Sequence, residues 1–83
     1  MNPIEFSEQN VVFTAEGCDN LPACKIYNEQ FQTDEVISCW KFSDDEIVQI
    51  LKEVKSGKRP NIFLSVVGGQ PRVSLFMRSE EDV

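Results

Sequence analysis

The sequence predicts an α+β domain: an antiparallel sheet of about five strands with one helix packed on one face, in the order β-β-β-α-β-β. Three observations predict it. Residues 37–42 form an apolar, strand-like segment that runs straight into Ser43-Asp44-Asp45-Glu46, and Ser43 with Glu46 three positions later is a capping-box pattern. Ile47, Ile50, Leu51 and Val54 then recur at three- and four-residue spacing, the signature of one apolar helical stripe. Two alternating segments joined by Gly68-Gly69-Gln70-Pro71 close the chain as a hairpin.

Each element has its own local reason. Residues 10–15, Asn-Val-Val-Phe-Thr-Ala, are β-branched and aromatic and read as a strand. Residues 16–22 are a turn-rich connection, and Pro22 removes a ladder donor, so the next strand is expected to start at or after it. Residues 23–28 alternate weakly, with Cys24 and Ile26 on one side and Lys25 and Tyr27 on the other. Residues 29–34 are polar, as a hairpin loop would be. Residues 35–42 form the next strand, with Val36, Ser38, Trp40 and Phe42 as the more apolar face.

The helix should run over residues 44–56. Asp44, Asp45 and Glu46 put negative charge at the positive end of its dipole, and Lys52 and Lys55 put positive charge at the other. Gly57 suits the left-handed position past the last turn, and Pro60 stops resumption. In the closing hairpin, residues 61–67 point Ile62, Leu64 and Val66 inward, and residues 72–78 do the same with Val73, Leu75 and Met77. Phe63 and Phe76 then lie on the outer face. Residues 79–83 read as an acidic, mobile tail.

The 83 residues make one domain. A chain this short buries roughly 60–65% of its unfolded surface, so every apolar cluster counts. No apolar run approaches the roughly 20 residues of a membrane helix, and the N-terminus lacks signal-peptide character. A cytosolic location is the expected default. Cys18, Cys24 and Cys39 are expected as reduced thiols, Cys39 as a small buried hydrophobe beside Trp40. The chain has no His, which removes Cys-His pairs, Ser-His-Asp triads and His-ligated zinc. The spacing Cys18-x5-Cys24-x14-Cys39 has no tight knuckle, so no metal site is expected. Helix capping accounts for Asp44, Asp45 and Glu46 without catalysis. No cofactor and no enzymatic activity are expected.

Charge is unevenly spread. Residues 1–51 carry ten acids and two bases, a sum of −8; residues 52–78 carry six bases and one acid, a sum of +5; residues 79–83 add −3. A net charge of −6 repels duplex nucleic acid, yet a cationic segment can still attract an anion to one face. Trp40, Lys58, Arg59 and Arg72 are the candidate contacts for a phosphorylated ligand: cations meet phosphates and a ring stacks on a base. The plainer reading of the cations is a solvated face that offsets the acidic half. Phe63 and Phe76 are the candidate interface of a homo-oligomer, because so short a chain has few apolar residues to spare outside.

Asn2-Pro3, Leu21-Pro22, Ser38-Cys39-Trp40-Lys41, the polar opening of the helix from Ser43 to Glu46, Gly57 and the hairpin with Gly69 and Pro71 together carry a resemblance. The chain from residue 11 to 75 resembles a family of small, mostly uncharacterised proteins of tailed phages and prophages. The family usually has Trp at the position of Phe63 and two prolines where this chain has Pro71-Arg72. Arg72 therefore owes its candidacy to charge and not to the resemblance. Phage origin implies a protein that occupies something of its host. Sequestering a nucleotide-like immune signal is the leading expectation. An acidic inhibitor that blocks a host defence protein, in the manner of some anti-CRISPR proteins, and a minor virion or assembly factor are the alternatives.

Overall fold

A computed structural model describes residues 1–14, 16–17, 20–67 and 72–79, with the backbone alone at Val67 and Arg72. Among these residues lie β1 (Asn2–Ile4), β2 (Val11–Phe13), β3 (Leu21–Asn28), β4 (Thr33–Lys41), α1 (Asp44–Lys55), β5 (Asn61–Val67) and β6 (Arg72–Arg78). The class is α+β with antiparallel pairing and one helix, as expected. The strands number six and form two sheets, a four-stranded one in the order β1-β4-β3-β2 and the β5–β6 hairpin. The predicted turn at 68–71, Cys18 and the tail from residue 80 lie outside the described residues. The chain divides into two compact units, Pro3–Trp40 on one hand and Met1–Asn2 with Lys41–Val83 on the other.

In the Pro3–Trp40 unit, β3 is an inner strand, paired with β2 on one side and β4 on the other. Its first half supplies the buried apolar residues Leu21, Ala23 and Cys24. The strand starts at Leu21, one residue earlier than Pro22 allows by the sequence argument. The register shows why. Leu21 and Pro22 face Phe13 and Val12 of β2, whereas the β4 ladder begins only at Ala23 opposite Ser38. Pro22 therefore lies beyond the β4 ladder, where a missing donor costs little. Cys24 is the buried thiol; Cys39, expected to be buried, is half-exposed, and both are free.

Asn10 extends the β2–β3 pairing with its side chain. Its Oδ1 accepts from the Lys25 N–H at 2.8 Å and its Nδ2 donates to the Lys25 carbonyl at 3.0 Å, while its own N–H donates to the Ala23 carbonyl at 3.0 Å. The β3–β4 turn is set by Asn28, whose Oδ1 accepts from the Phe31 N–H at 3.1 Å and whose Nδ2 donates to Glu35 at 2.7 Å. β1, a three-residue strand at the sheet edge, was not foreseen. Its Pro3 is an edge-strand residue and its shortness leaves no alternation to read.

The helix in the other unit starts at Asp44, where the sequence places it, and ends at Lys55, with Ser56, the expected last residue, as its C-cap. The Ser43 hydroxyl accepts from the Glu46 N–H at 3.2 Å, and Glu46 Oε1 accepts from the Ser43 N–H at 2.8 Å. The other Glu46 oxygen takes the Met1 ammonium at 2.9 Å. That ammonium, and after it the Ser43 N–H, hold the Glu46 carboxyl below the usual carboxylate range. A depressed folded value means the stabilisation is complete above the ordinary carboxylate pKa and is lost as pH falls through the folded one. Thermal melts should therefore show wild type above Glu46→Gln at neutral pH, and the gap should close below about pH 4. Ser43→Ala should cost about 1 kcal/mol by chemical denaturation.

The helix ends in a Schellman motif. The Lys58 N–H donates to the Glu53 carbonyl at 2.9 Å and the Gly57 N–H to the Val54 carbonyl at 3.0 Å. Gly57 has φ +80°, and no atom lies within 4 Å of where a Cβ would stand. Gly57→Ala should thus lose about 1 kcal/mol from backbone strain alone, with no clash to relieve.

Two facing expectations are corrected. Ile47, Leu51 and Val54 of the expected inward stripe are exposed, Ile50 is half-buried, and Glu53 is the buried helical residue. The Glu53 carboxylate accepts from Gln49 Nε2 at 3.4 Å, so a polar ridge, not the apolar stripe, is covered. In the hairpin, Ile62, Leu64 and Val66 are exposed, although the alternation placed them inward. β5 is apolar on both faces, and such a strand carries no mark of which side the fold will cover.

Candidate functional site

The β5–β6 register runs from Asn61 opposite Arg78 to Val67 opposite Arg72, with Phe63 opposite Phe76. A directly opposed aromatic pair stacks: the two ring centroids are 5.6 Å apart at an interplanar angle of 13°. The Arg78 guanidinium lies 4.7 Å from the Phe63 ring centre and 5.2 Å from that of Phe76, so one cation covers both rings. Both rings are half-buried, and Arg78 is exposed.

The open end of the hairpin also collects the cations that follow the helix. Arg59 and Lys58 precede Asn61 by two and three residues, which the chain can span over no more than about 7 and 11 Å. The Schellman motif fixes the Lys58 backbone at the helix terminus, where the helix dipole is negative. Arg59 Nη1 donates to the Lys58 carbonyl at 3.0 Å, which holds the guanidinium along this connection. Lys58, Arg59 and Arg78 therefore share one end of the hairpin with the stacked Phe63–Phe76 pair. An ammonium and two guanidinium groups around this end of the hairpin, one of them over an aromatic pair, can bind an anion with a planar group.

The remaining candidate contacts are Arg72 and Trp40. Arg72 opens β6 at the opposite end, six residues from Arg78, roughly 20 Å at about 3.3 Å per residue. Its side chain is not among those described. Trp40 belongs to the Pro3–Trp40 unit, half-buried, with Nε1 donating to the Ser38 hydroxyl at 2.8 Å on the same face of β4. Phe63 and Phe76, read in the sequence as an outward interface, are engaged with each other and with Arg78.

Arg78 flanks the hairpin in the sequence but was not among the candidate contacts drawn from it. The signal was present: a hairpin centred on the 68–71 turn pairs residue 63 with 76 and 61 with 78, which aligns the aromatic pair and brings Arg78 to its side.

Among the described residues, no group of three or more His, Cys, Asp or Glu side chains is placed to hold a metal ion. No helix among them is long and apolar enough to cross a membrane. Compared with protein-family models, with curated proteins and with solved structures, the chain matches none.

Proposed function

We propose that the protein is a non-enzymatic binding protein that sequesters a nucleotide-like anion, acting in phage counter-defence inside the bacterial host. One observation carries the reading: the Arg78 guanidinium lies over the stacked Phe63–Phe76 pair, near the end of the hairpin that follows Lys58 and Arg59 in the chain. Phosphates would sit against Lys58 and Arg59. A base would stack on the Arg78 guanidinium, which lies over the two rings. The phage resemblance supplies the biological setting.

Titration calorimetry against a panel of ADP-ribose-type and cyclic nucleotides, with inorganic phosphate as a control, tests it. The expected result is saturable heat with one class of nucleotide that weakens as salt rises. The ligand should be recovered intact after the protein is denatured. Folded protein that gives no heat across the panel overturns the reading, and a ligand recovered cleaved overturns its non-enzymatic part.

A second reading is favoured by the Pro3–Trp40 unit, where Glu5, Glu8, Glu29 and Asp34 are exposed carboxylates and Lys25 is the sole cation. Such a surface suits the basic groove of a host defence protein. Stoichiometric capture of one such protein from host lysate, lost on reversing these charges, would favour it.

A further inference from the structure

Helix α1 turns its apolar stripe away from the rest of its unit. Glu46, Gln49 and Ile50 are half-buried and Glu53 is buried, so the covered side runs through these four. On the open side, Val48 is 64% exposed and Leu51 57%, with Ile47 and Val54 exposed beside them. Asp44 and Lys55 continue that side at its two ends, both exposed. Asp44, Val48, Leu51 and Lys55 follow one another at spacings of four, three and four, the spacing of a helix–helix seam. Neither Asp44 nor Lys55 takes part in the ion pairs Met1–Glu46 and Lys25–Asp34.

We propose that this seam pairs with the same seam of a second copy, antiparallel, about a two-fold axis at the helix midpoint. The seam reads the same from either end in chemistry: charge, apolar, apolar, charge, with opposite signs at the termini. An antiparallel two-fold sets Val48 against Leu51 of the second copy and Asp44 against Lys55 of the second copy, and then repeats both contacts. Parallel pairing would oppose Asp44 to Asp44. Antiparallel pairing also sets the helix dipoles head to tail.

The area is sufficient for a modest dimer. The exposed parts of Ile47, Val48, Leu51 and Val54 with their flanking charges come to roughly 500 Å² per copy. About 1,000 Å² in total is the lower bound for a specific interface. Assembly is therefore concentration-dependent. This interface is separate from the Phe63–Phe76 hairpin, which the sequence offered for oligomer formation, and does not depend on the anion site.

Sedimentation velocity from about 1 to 300 µM tests it, with circular dichroism to verify folding. Wild type should pass from monomer to dimer over this range. Leu51→Glu should be monomeric throughout with an unchanged helical spectrum, because residue 51 is open in the monomer. Asp44→Lys alone opposes lysines at both ends of the seam, and Lys55→Asp alone opposes aspartates. Each should dimerise about tenfold more weakly than wild type. An equimolar mixture of the two restores opposite charges at both ends and should return to within about threefold of wild type. A folded wild type that stays monomeric at the highest concentration overturns the proposal. So does a dimer that survives Leu51→Glu, or a mixture that binds no better than its parents.

Discussion

Leu21→Ala should lower the melting temperature by about 10 °C or more, the largest stability loss expected from a single substitution in this chain. Leu21, Ala23 and Cys24 are 5%, 0% and 8% exposed, and with Pro22 between them they are the buried apolar residues among those described. Truncating a buried leucine removes transfer free energy and leaves a cavity, at a cost of about 2–4 kcal/mol. A chain of this length has only about 4–12 kcal/mol in total. Each kcal/mol moves the melting point of a small domain by about 4–8 °C. β3 is poorly able to relax into the space, because Leu21 is paired with Phe13 of β2 and the strand is also tied to β4 from Ala23 onward. Leu64→Ala is the control. That side chain is 64% exposed on β5, and its loss should cost less than about 1 kcal/mol. Equal losses at Leu64 and Leu21, independent of protein concentration, would show that the hairpin's exposed face is core after all.

Reversing the charges at the hairpin end, Lys58→Glu with Arg59→Glu, should weaken nucleotide binding by at least about a hundredfold. Each charge-assisted hydrogen bond lost is worth about 1.5–3 kcal/mol, and like-charge repulsion of the phosphate adds to it. Circular dichroism should show the double variant folded. The Schellman motif that fixes this connection uses the backbone N–H groups of Lys58 and Gly57, which the double change leaves in place. Arg78→Ala should act differently. It removes the plane that covers the Phe63–Phe76 stack, so base preference should fall more than phosphate affinity. Calorimetry with a nucleotide and with inorganic phosphate separates the two effects. Binding unaffected by Lys58→Glu with Arg59→Glu would remove the hairpin end as the site.

Local bonding made much of this fold legible. The Ser43–Glu46 box, the acidic first turn and Gly57 define α1 through hydrogen bonds spanning three to five residues, and the helix starts and stops there. Phe63 opposes Phe76 because a hairpin's register is set by its turn. Of the candidate ligand contacts, Lys58 and Arg59 lie in the connection that leads into the Asn61–Arg78 end of the hairpin. Arg72 has the same charge but sits at the other end of the same strand pair, a distinction that net charge over a segment cannot make.

The sequence by itself determined the α+β class, the helix and its caps, the hairpin and its register, since each rests on contacts between near neighbours in the chain. Tertiary structure alone decided which faces are covered. Ile47, Leu51 and Val54 were as eligible for burial as Ile50, and Ile62, Leu64 and Val66 as eligible as Phe63. Glu53, with Gln49 to satisfy it, was covered in place of the stripe. The division of six strands into two sheets was decided in the same way. Burial is a competition among all apolar surfaces of the molecule for the little interior that 83 residues can enclose, and periodicity within one segment records only that segment's candidacy.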